Sequence, residues 1–150
     1  QFLEDVAWGE LDFLVIDMPP GTGDIQLTMA QELPLSSSII VTTPQSVSTD
    51  DVSRAIMMFK DIGVPIGGIV ENMSYFIAPD SGNRYDIFGS GGGEMIASRY
   101  NIPLLGKIPL TISIREAGDD GKPAVVTTDG IQKKYYQDIT NNLLVQMGIL

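Results

Sequence analysis

The sequence predicts an α/β fold with a mostly parallel sheet and flanking helices, and two observations lead to this prediction. Short apolar runs bounded by turn residues alternate with segments in which apolar residues recur at helical spacing. The first run, residues 13–16 (FLVI), has no polar interruption, which is typical of a strand buried on both faces of a parallel sheet. A chain of 150 residues is long enough for one such domain.

The residues that follow this first strand carry the strongest functional signal in the chain. Asp17 stands at the carboxyl end of the run, where α/β sheets bind ligands, and a carboxylate there suits Mg²⁺. In residues 18–24 (MPPGTGD) two prolines stiffen the chain, and Gly21 and Gly23 allow backbone N–H groups to approach an anion. A plainer interpretation is a strand, a rigid turn and a helix capped by Asp24.

The other elements follow from the same patterns. Strands are predicted at residues 38–43, 65–72 and 104–108, and glycines 67 and 68 in the second of them allow a close neighbour. Helices are predicted at residues 25–33, from Ser48 or Thr49 to Gly63, at 94–100, at 111–117 and from 131 to 147. Residues 74–90 show little periodicity, and a segment of that length is usually functional or disordered. The last helix is expected to place a core stripe at Ile131, Tyr135, Ile139, Leu143 and Met147.

Composition and charge exclude several classes of function. Nine basic residues against nineteen acidic ones give a formal charge of −10, which repels phosphate backbones, so nucleic acid is not expected as a partner. The sequence contains no apolar run long enough to cross a membrane and starts without a secretory leader, so we expect a cytoplasmic protein with no membrane partner. The absence of cysteine excludes disulfides and thiolate metal sites.

The residues around Asp17 resemble a known family. Residues 8–12 (WGELD) together with residues 17–24 (DMPPGTGD) are similar to the Mrp or ApbC family of P-loop ATPases, which carry iron–sulfur clusters. The resemblance extends over nearly the whole chain and implies a P-loop NTPase fold of the MinD-like, SIMIBI class. It also implies ATP and Mg²⁺ as cofactors, a homodimer, and iron–sulfur client or assembly proteins as partners.

The resemblance also implies roles for individual residues near the phosphates. Asp17 matches the Walker B carboxylate that holds Mg²⁺ through water, and Asp24 would orient the attacking water. The switch II segment, which senses the γ-phosphate in the family, matches Pro20, Gly21, Thr22 and Gly23.

Two further positions match residues near the nucleotide base. Asn72 matches an asparagine that reads adenine in the family, a task that suits an amide because it offers both a donor and an acceptor. The alternative for a strand-end asparagine is an Asx turn. Pro109 matches a position that packs near the base, and the alternative there is simple termination of a strand.

One part of an ATPase is missing from the sequence. The chain has no G-x-x-x-x-G-K-[ST] phosphate loop for the switch-like segment to serve. In the family that loop lies upstream, so residues 1–150 are expected to be the C-terminal part of a single P-loop ATPase domain, inactive by itself.

The loop that binds the cluster in the family lacks its ligands here. Residues 72–82 (NMSYFIAPDSG) keep the family's frame, with Ala78 and Ser81 where its two cysteines stand. In the family two protomers each supply that pair and hold one [4Fe–4S] cluster between them. A methyl group cannot bind iron and a serine hydroxyl is a poor replacement for a thiolate, so cluster binding by this loop is not expected.

Three hypotheses remain open from the sequence. The first is an ATP-driven cluster carrier or assembly factor whose cluster ligands are altered or lie elsewhere. The second is a nucleotide switch like MinD or ParA that positions a protein partner without a cluster; its membrane-bound version should have a basic amphipathic tail, which residues 141–150 lack. The third is a piece of protein that folds and binds nothing by itself.

Overall fold

A computed structural model describes residues 5–19, 21–127 and 130–150. Helices and strands alternate along most of the chain, as predicted. In chain order they are α1 (Asp24–Glu32), β1 (Ser38–Thr42), α2 (Ser46–Asp61), β2 (Ile66–Glu71), β3 (Phe76–Ile77), β4 (Arg84–Tyr85), α3 (Gly92–Tyr100), β5 (Leu104–Lys107), α4 (Ile112–Asp119), α5 (Ala124–Thr127) and α6 (Ile131–Gln146).

The main sheet is parallel and has β2 at its centre. Its three strands lie in the order β1, β2, β5, with Ile40 beside Ile69 on one side of β2 and Gly106 beside Val70 on the other. Each strand is separated from the next by a helix, which is how parallel neighbours are joined. The predicted α/β class with a mostly parallel sheet is confirmed.

The hydrophobic core lies on both faces of this sheet. On one face α1, α2 and α3 bury Ala30, Ile40, Ile56, Phe59, Val64, Ile69, Ile96 and Ile102. On the other face the buried residues Val70, Leu105 and Ile108 pack against α4 and α6. A central strand covered on both faces explains why residues 66–70 form an apolar and glycine run without alternation.

The strand predicted at residues 13–16 is wrong. The structure has no strand there, and Phe13 and Val15 are 53% and 87% exposed. A parallel strand needs a neighbour to pair its backbone and helices to cover its faces. Among the described residues the sheet ends at β1, whose Ile39 and Val41 are themselves exposed, and nothing described pairs with residues 13–16.

Three smaller differences have local causes. The helix predicted to start at Ser48 or Thr49 begins at Ser46 after the extended residue Gln45, and the Ser48 hydroxyl accepts the Thr43 N–H instead of capping the helix. The segment 74–90 contains an antiparallel ribbon, β3 and β4, that its weak periodicity did not indicate. In α6 the side chains that meet the core are Tyr136, Ile139 and Leu143. Of the other predicted stripe residues, Ile131 is exposed, and Tyr135 and Met147 are not among the residues packed against the core.

The prediction that glycine at 67 and 68 allows close packing can be tested by substitution. A Cβ at Gly68 would overlap the buried side chain of Leu105, so Gly68→Ala should lower the free energy of unfolding by about 1–3 kcal/mol. Gly118 lies in α4, and a Cβ added there would meet nothing within 4 Å, so Gly118→Ala is the matched control and should be neutral or slightly stabilising. Equal unfolding midpoints in urea for the two variants would contradict the packing argument.

Candidate functional site

The carboxyl ends of the three parallel strands meet at one edge of the sheet and are tied together by backbone hydrogen bonds. The Asn72 N–H donates to the Thr42 carbonyl at 2.7 Å. The Ile108 N–H donates to the Glu71 carbonyl, and the Ile108 carbonyl accepts the Ser74 N–H, both at 2.9 Å. The exits of β1, β2 and β5 therefore form one continuous surface.

The two residues predicted to lie near a nucleotide base, Asn72 and Pro109, follow neighbouring strands at this edge. Asn72 is half-buried, and Pro109, which follows Ile108 directly, is buried. The Oδ1 atom of Asn72 accepts the Met73 N–H at 2.9 Å, and Met73 has a positive φ of 51°. The oxygen thus makes the local contact expected of a turn, while the amide nitrogen remains as a donor at the edge.

A third residue of this edge was not singled out from the sequence. Glu71 is fully buried at the end of β2. Its Oε1 accepts a hydrogen bond from the Ser74 hydroxyl at 2.5 Å, and its Oε2 accepts one from the Gly93 N–H at 2.6 Å. Lys107, at the end of β5, places its ammonium 3.9 Å from Oε1. The sequence signal was a carboxylate at the end of an apolar run, the same signal that selected Asp17.

The predicted phosphate-side segment lies outside the sheet. Asp17 is exposed in an irregular segment, and Gly21 and Thr22 are exposed, with a φ of 96° at Gly21. Pro20 lies outside the described residues. The segment joins α1 through Gln26, whose Nε2 donates to the Pro19 carbonyl at 3.2 Å. The structure therefore brings Asn72 and Pro109 together but does not place Asp17 at the end of a strand beside them.

The interpretation of Asp24 as a helix cap is wrong. The N-cap of α1 is Gly23, whose φ of −79° and ψ of −177° are extended, and Asp24 is already the first helical residue. A side chain at the first helical position cannot accept the hydrogen bond that an N-cap residue accepts. Asp24 is exposed there, where its charge faces the positive end of the helix dipole.

The loop with the family's cluster frame forms a tight turn between β3 and β4. The Gly82 N–H donates to the Ala78 carbonyl at 2.8 Å, and the Ala78 N–H donates to the Asn83 carbonyl at 2.9 Å. Gly82 adopts a φ of 69°, a conformation that glycine takes without strain. Ala78 is buried and Ser81 is exposed, so the two positions occupy different environments.

Contacts of Tyr75 hold this ribbon against the rest of the domain. The Tyr75 carbonyl accepts the Leu110 N–H at 2.7 Å, just after Pro109. The Arg84 guanidinium lies 4.3 Å from the centre of the Tyr75 ring. A hydrogen bond with Tyr75, together with burial, raises the pKa of Tyr135 in α6 to about 12. The ribbon is thus joined both to α6 and to the edge of the sheet that carries Asn72 and Pro109, which we call the base-side edge.

The described residues contain no group of three or more histidine, cysteine, aspartate or glutamate side chains that could hold a metal ion. None of the helices in the described ranges is long and apolar enough to cross a membrane. A groove of about 700 Å³ lies between α1, α2 and α3, away from the Asn72 edge, and Thr22 is among the residues that line it.

Comparison with known proteins identifies relatives over most of the chain. The model of a family described as ParA, NUBPL iron-transfer P-loop NTPase, matches residues 1–144. An iron–sulfur cluster carrier protein of Synechocystis sp. is 58% identical over 128 residues, which are 85% of this chain and 36% of that protein. A carrier of the same description from Pyrococcus furiosus is 47% identical over 96% of this chain and 49% of its own length.

Solved structures agree on the fold. A nucleotide-binding protein of Archaeoglobus fulgidus in complex with ADP has a TM-score of 0.73 and 42% identity, covering 81% of this chain and 50% of its own. The cell division ATPase MinD of Pyrococcus furiosus has a TM-score of 0.66 at 23% identity over 88% of this chain and 51% of its own, a likeness of fold alone.

The chain spans from about one third to one half of the length of these relatives. The match of a family model to residues 1–144 and the identities above lead to the same result. The chain belongs to the family of NUBPL-type iron-transfer P-loop NTPases, and its fold is that of the MinD-like members of the class.

Proposed function

We propose that the complete protein binds ATP with Mg²⁺, hydrolyses it, and acts as an iron–sulfur cluster carrier or assembly factor. The observation that carries the proposal is the shared edge on which Asn72 and Pro109 lie together, in a chain 42% identical to a protein solved with ADP. The nucleotide switch without a cluster is not favoured, because the likeness to MinD is one of fold alone.

The base of the nucleotide would meet the edge formed by β2 and β5. The Asn72 amide nitrogen is a donor for a ring nitrogen of adenine, and its oxygen, which already accepts the Met73 N–H, has a second lone pair for the exocyclic amine. Pro109 is buried where β5 ends, so it contributes apolar packing to this edge and not an exposed face. This arrangement suits adenine better than guanine, which presents an oxygen in place of that amine.

The phosphates and Mg²⁺ would meet residues 17–24. An exposed carboxylate such as Asp17 is a hard oxygen donor of the kind that Mg²⁺ prefers. When bound, Mg²⁺ would neutralise charge on the phosphate oxygens. Gly23 leaves the first amides of α1 without a side-chain cap, so these N–H groups are donors that an anion could use. We further propose that the phosphate loop is supplied by residues preceding Gln1.

The residues of the ribbon loop do not fit an iron–sulfur cluster. Ala78 presents a buried methyl group and Ser81 an exposed hydroxyl, and the chain has no cysteine. Cluster iron requires thiolate ligands. Any cluster that the complete protein carries as cargo would therefore be held by residues outside 1–150. A homodimer and iron–sulfur client or assembly proteins are the partners that we propose.

The magnesium role of Asp17 can be tested in the complete protein. Asp17→Ala should lower ATP turnover by about 100-fold or more, because it removes the carboxylate that would hold the Mg²⁺ ion that neutralises the phosphate oxygens. The fold should survive, since Asp17 is exposed. Asp12→Ala removes an exposed carboxylate from the same segment and is the matched control. Wild-type turnover in Asp17→Ala, or an equal loss in both variants, would contradict the assignment.

Because Gly23 and not Asp24 is the N-cap of α1, a catalytic role of Asp24 can be measured separately from its effect on helix stability. Asp24→Asn should lower turnover by about tenfold or more if the carboxylate orients the attacking water. It should lower the free energy of unfolding by no more than about 1 kcal/mol, the size of a helix-dipole interaction. Glu32→Gln, at the other end of α1, is the control for loss of an exposed charge. Unchanged turnover in Asp24→Asn would leave Asp24 with a dipole role only.

Cluster binding by the loop can be tested by anaerobic reconstitution of the complete protein with iron and sulfide. Wild type should give no cluster absorbance that depends on this loop, because the loop has no thiolate. The double substitution Ala78→Cys with Ser81→Cys should create cluster absorbance in a dimer, and each single substitution is a control. Absorbance in wild type that loop substitutions abolish would overturn the prediction.

A further inference from the structure

Glu71 joins the base-side edge to both ends of the ribbon segment. Ser74, which donates to Oε1, begins the segment that contains β3 and β4, and Gly93, which donates to Oε2, lies in the first turn of the helix that follows it. A single buried carboxylate therefore closes the segment at its start and at its end. Hydrogen bonds to a charged acceptor are stronger than those between neutral groups.

The packing around this carboxylate leaves it little freedom. A Cβ at Gly93 would lie 2.9 Å from Oε2 and from the Glu71 Cβ, so only glycine allows α3 to approach so closely. The carboxylate faces the N-terminal end of α3, where the helix dipole favours a negative charge. Lys107 lies 3.9 Å from Oε1 and also binds Glu94 at 2.8 Å. A positive charge thus approaches the carboxylate from β5 as well.

Asn72 and Met73 lie between Glu71 and Ser74, which are joined by the hydrogen bond from the Ser74 hydroxyl to Oε1. The Glu71 to Ser74 hydrogen bond spans three residues and is reinforced by the two backbone hydrogen bonds of Ile108. Met73 takes a left-handed φ of 51°, a conformation that costs a residue of its type free energy and needs support from its surroundings. Glu71 thus braces the corner from which the Asn72 side chain extends.

We infer that Glu71 is a positioning residue for nucleotide recognition: its carboxylate, through Ser74 and Gly93, holds Asn72 in the orientation that distinguishes adenine from guanine. The inference rests on the proposed function, since it assumes that Asn72 meets the base. A residue with a merely structural role would affect stability without changing the preference between two bases.

The test measures dissociation constants of Mg-ADP and Mg-GDP for the complete protein. Ser74→Ala removes the hydroxyl that braces the corner and should reduce the preference for ADP over GDP by about tenfold. Ser53→Ala is the matched control, because that hydroxyl donates to the Thr49 carbonyl at 2.7 Å inside α2, away from the edge, and its loss should leave the preference unchanged. Glu71→Gln keeps an acceptor for Gly93 and gains a donor for Ser74 but loses the charge that strengthens both bonds, so its preference should lie between those of wild type and Ser74→Ala; a wild-type preference would show that the charge is not needed.

The outcomes separate the inference from the function on which it rests. If wild type binds neither nucleotide, the proposed function fails and the inference fails with it. If wild type prefers ADP and Ser74→Ala keeps the same preference, the proposed function stands and the inference is overturned. A lower melting temperature in Ser74→Ala with an unchanged ratio gives that second result, because it assigns Ser74 to stability alone.

Discussion

The structure depends on the burial of β2 on both of its faces. Helices α1, α2 and α3 cover one face and α4 with α6 covers the other, so each side of β2 meets a separate part of the core. Glycine at 67 and 68 lets Leu143 and Leu105 approach the strand closely. Because β2 is held on all sides, its carboxyl end is fixed, and the residues that leave it, Glu71 and Asn72, have defined positions.

The sequence predicted those elements whose burial is provided by neighbours within the described chain. The strands from Ser38, Ile66 and Leu104 were found within one or two residues, since each pairs with another and packs against helices. The prediction for residues 13–16 failed because an apolar run indicates that a segment would be stabilised by burial, but it does not show that neighbouring elements are present to bury it. The exposed Ile39 and Val41 on β1 show the same unfulfilled need on the nearest strand of the sheet.

Those residues of the candidate site that directly follow a strand could be predicted from the sequence. Those whose role depends on contacts with distant residues could not. Asn72 and Pro109 each follow a recognisable strand, so their meeting follows from parallel pairing. Glu71 gave the same local signal as Asp17, but its importance depends on Gly93, 22 residues further along, and on Lys107 from another strand. Burial of a charge depends on such tertiary partners, which periodicity does not reveal.

The shape of the loop between β3 and β4 is specified by residues other than those that would determine its binding chemistry. Its turn is specified by backbone hydrogen bonds of Ala78 and by the left-handed conformation of Gly82, neither of which involves the side chains at 78 and 81. The shape of the turn is therefore independent of which side chains stand at 78 and 81. The contacts of Tyr75 with Leu110 and Arg84, and the closure of the segment by Glu71, likewise persist without a cluster. A loop held in this way keeps its position beside the Asn72 edge without any contribution from the side chains at 78 and 81, so substitution at these two positions leaves that edge in place.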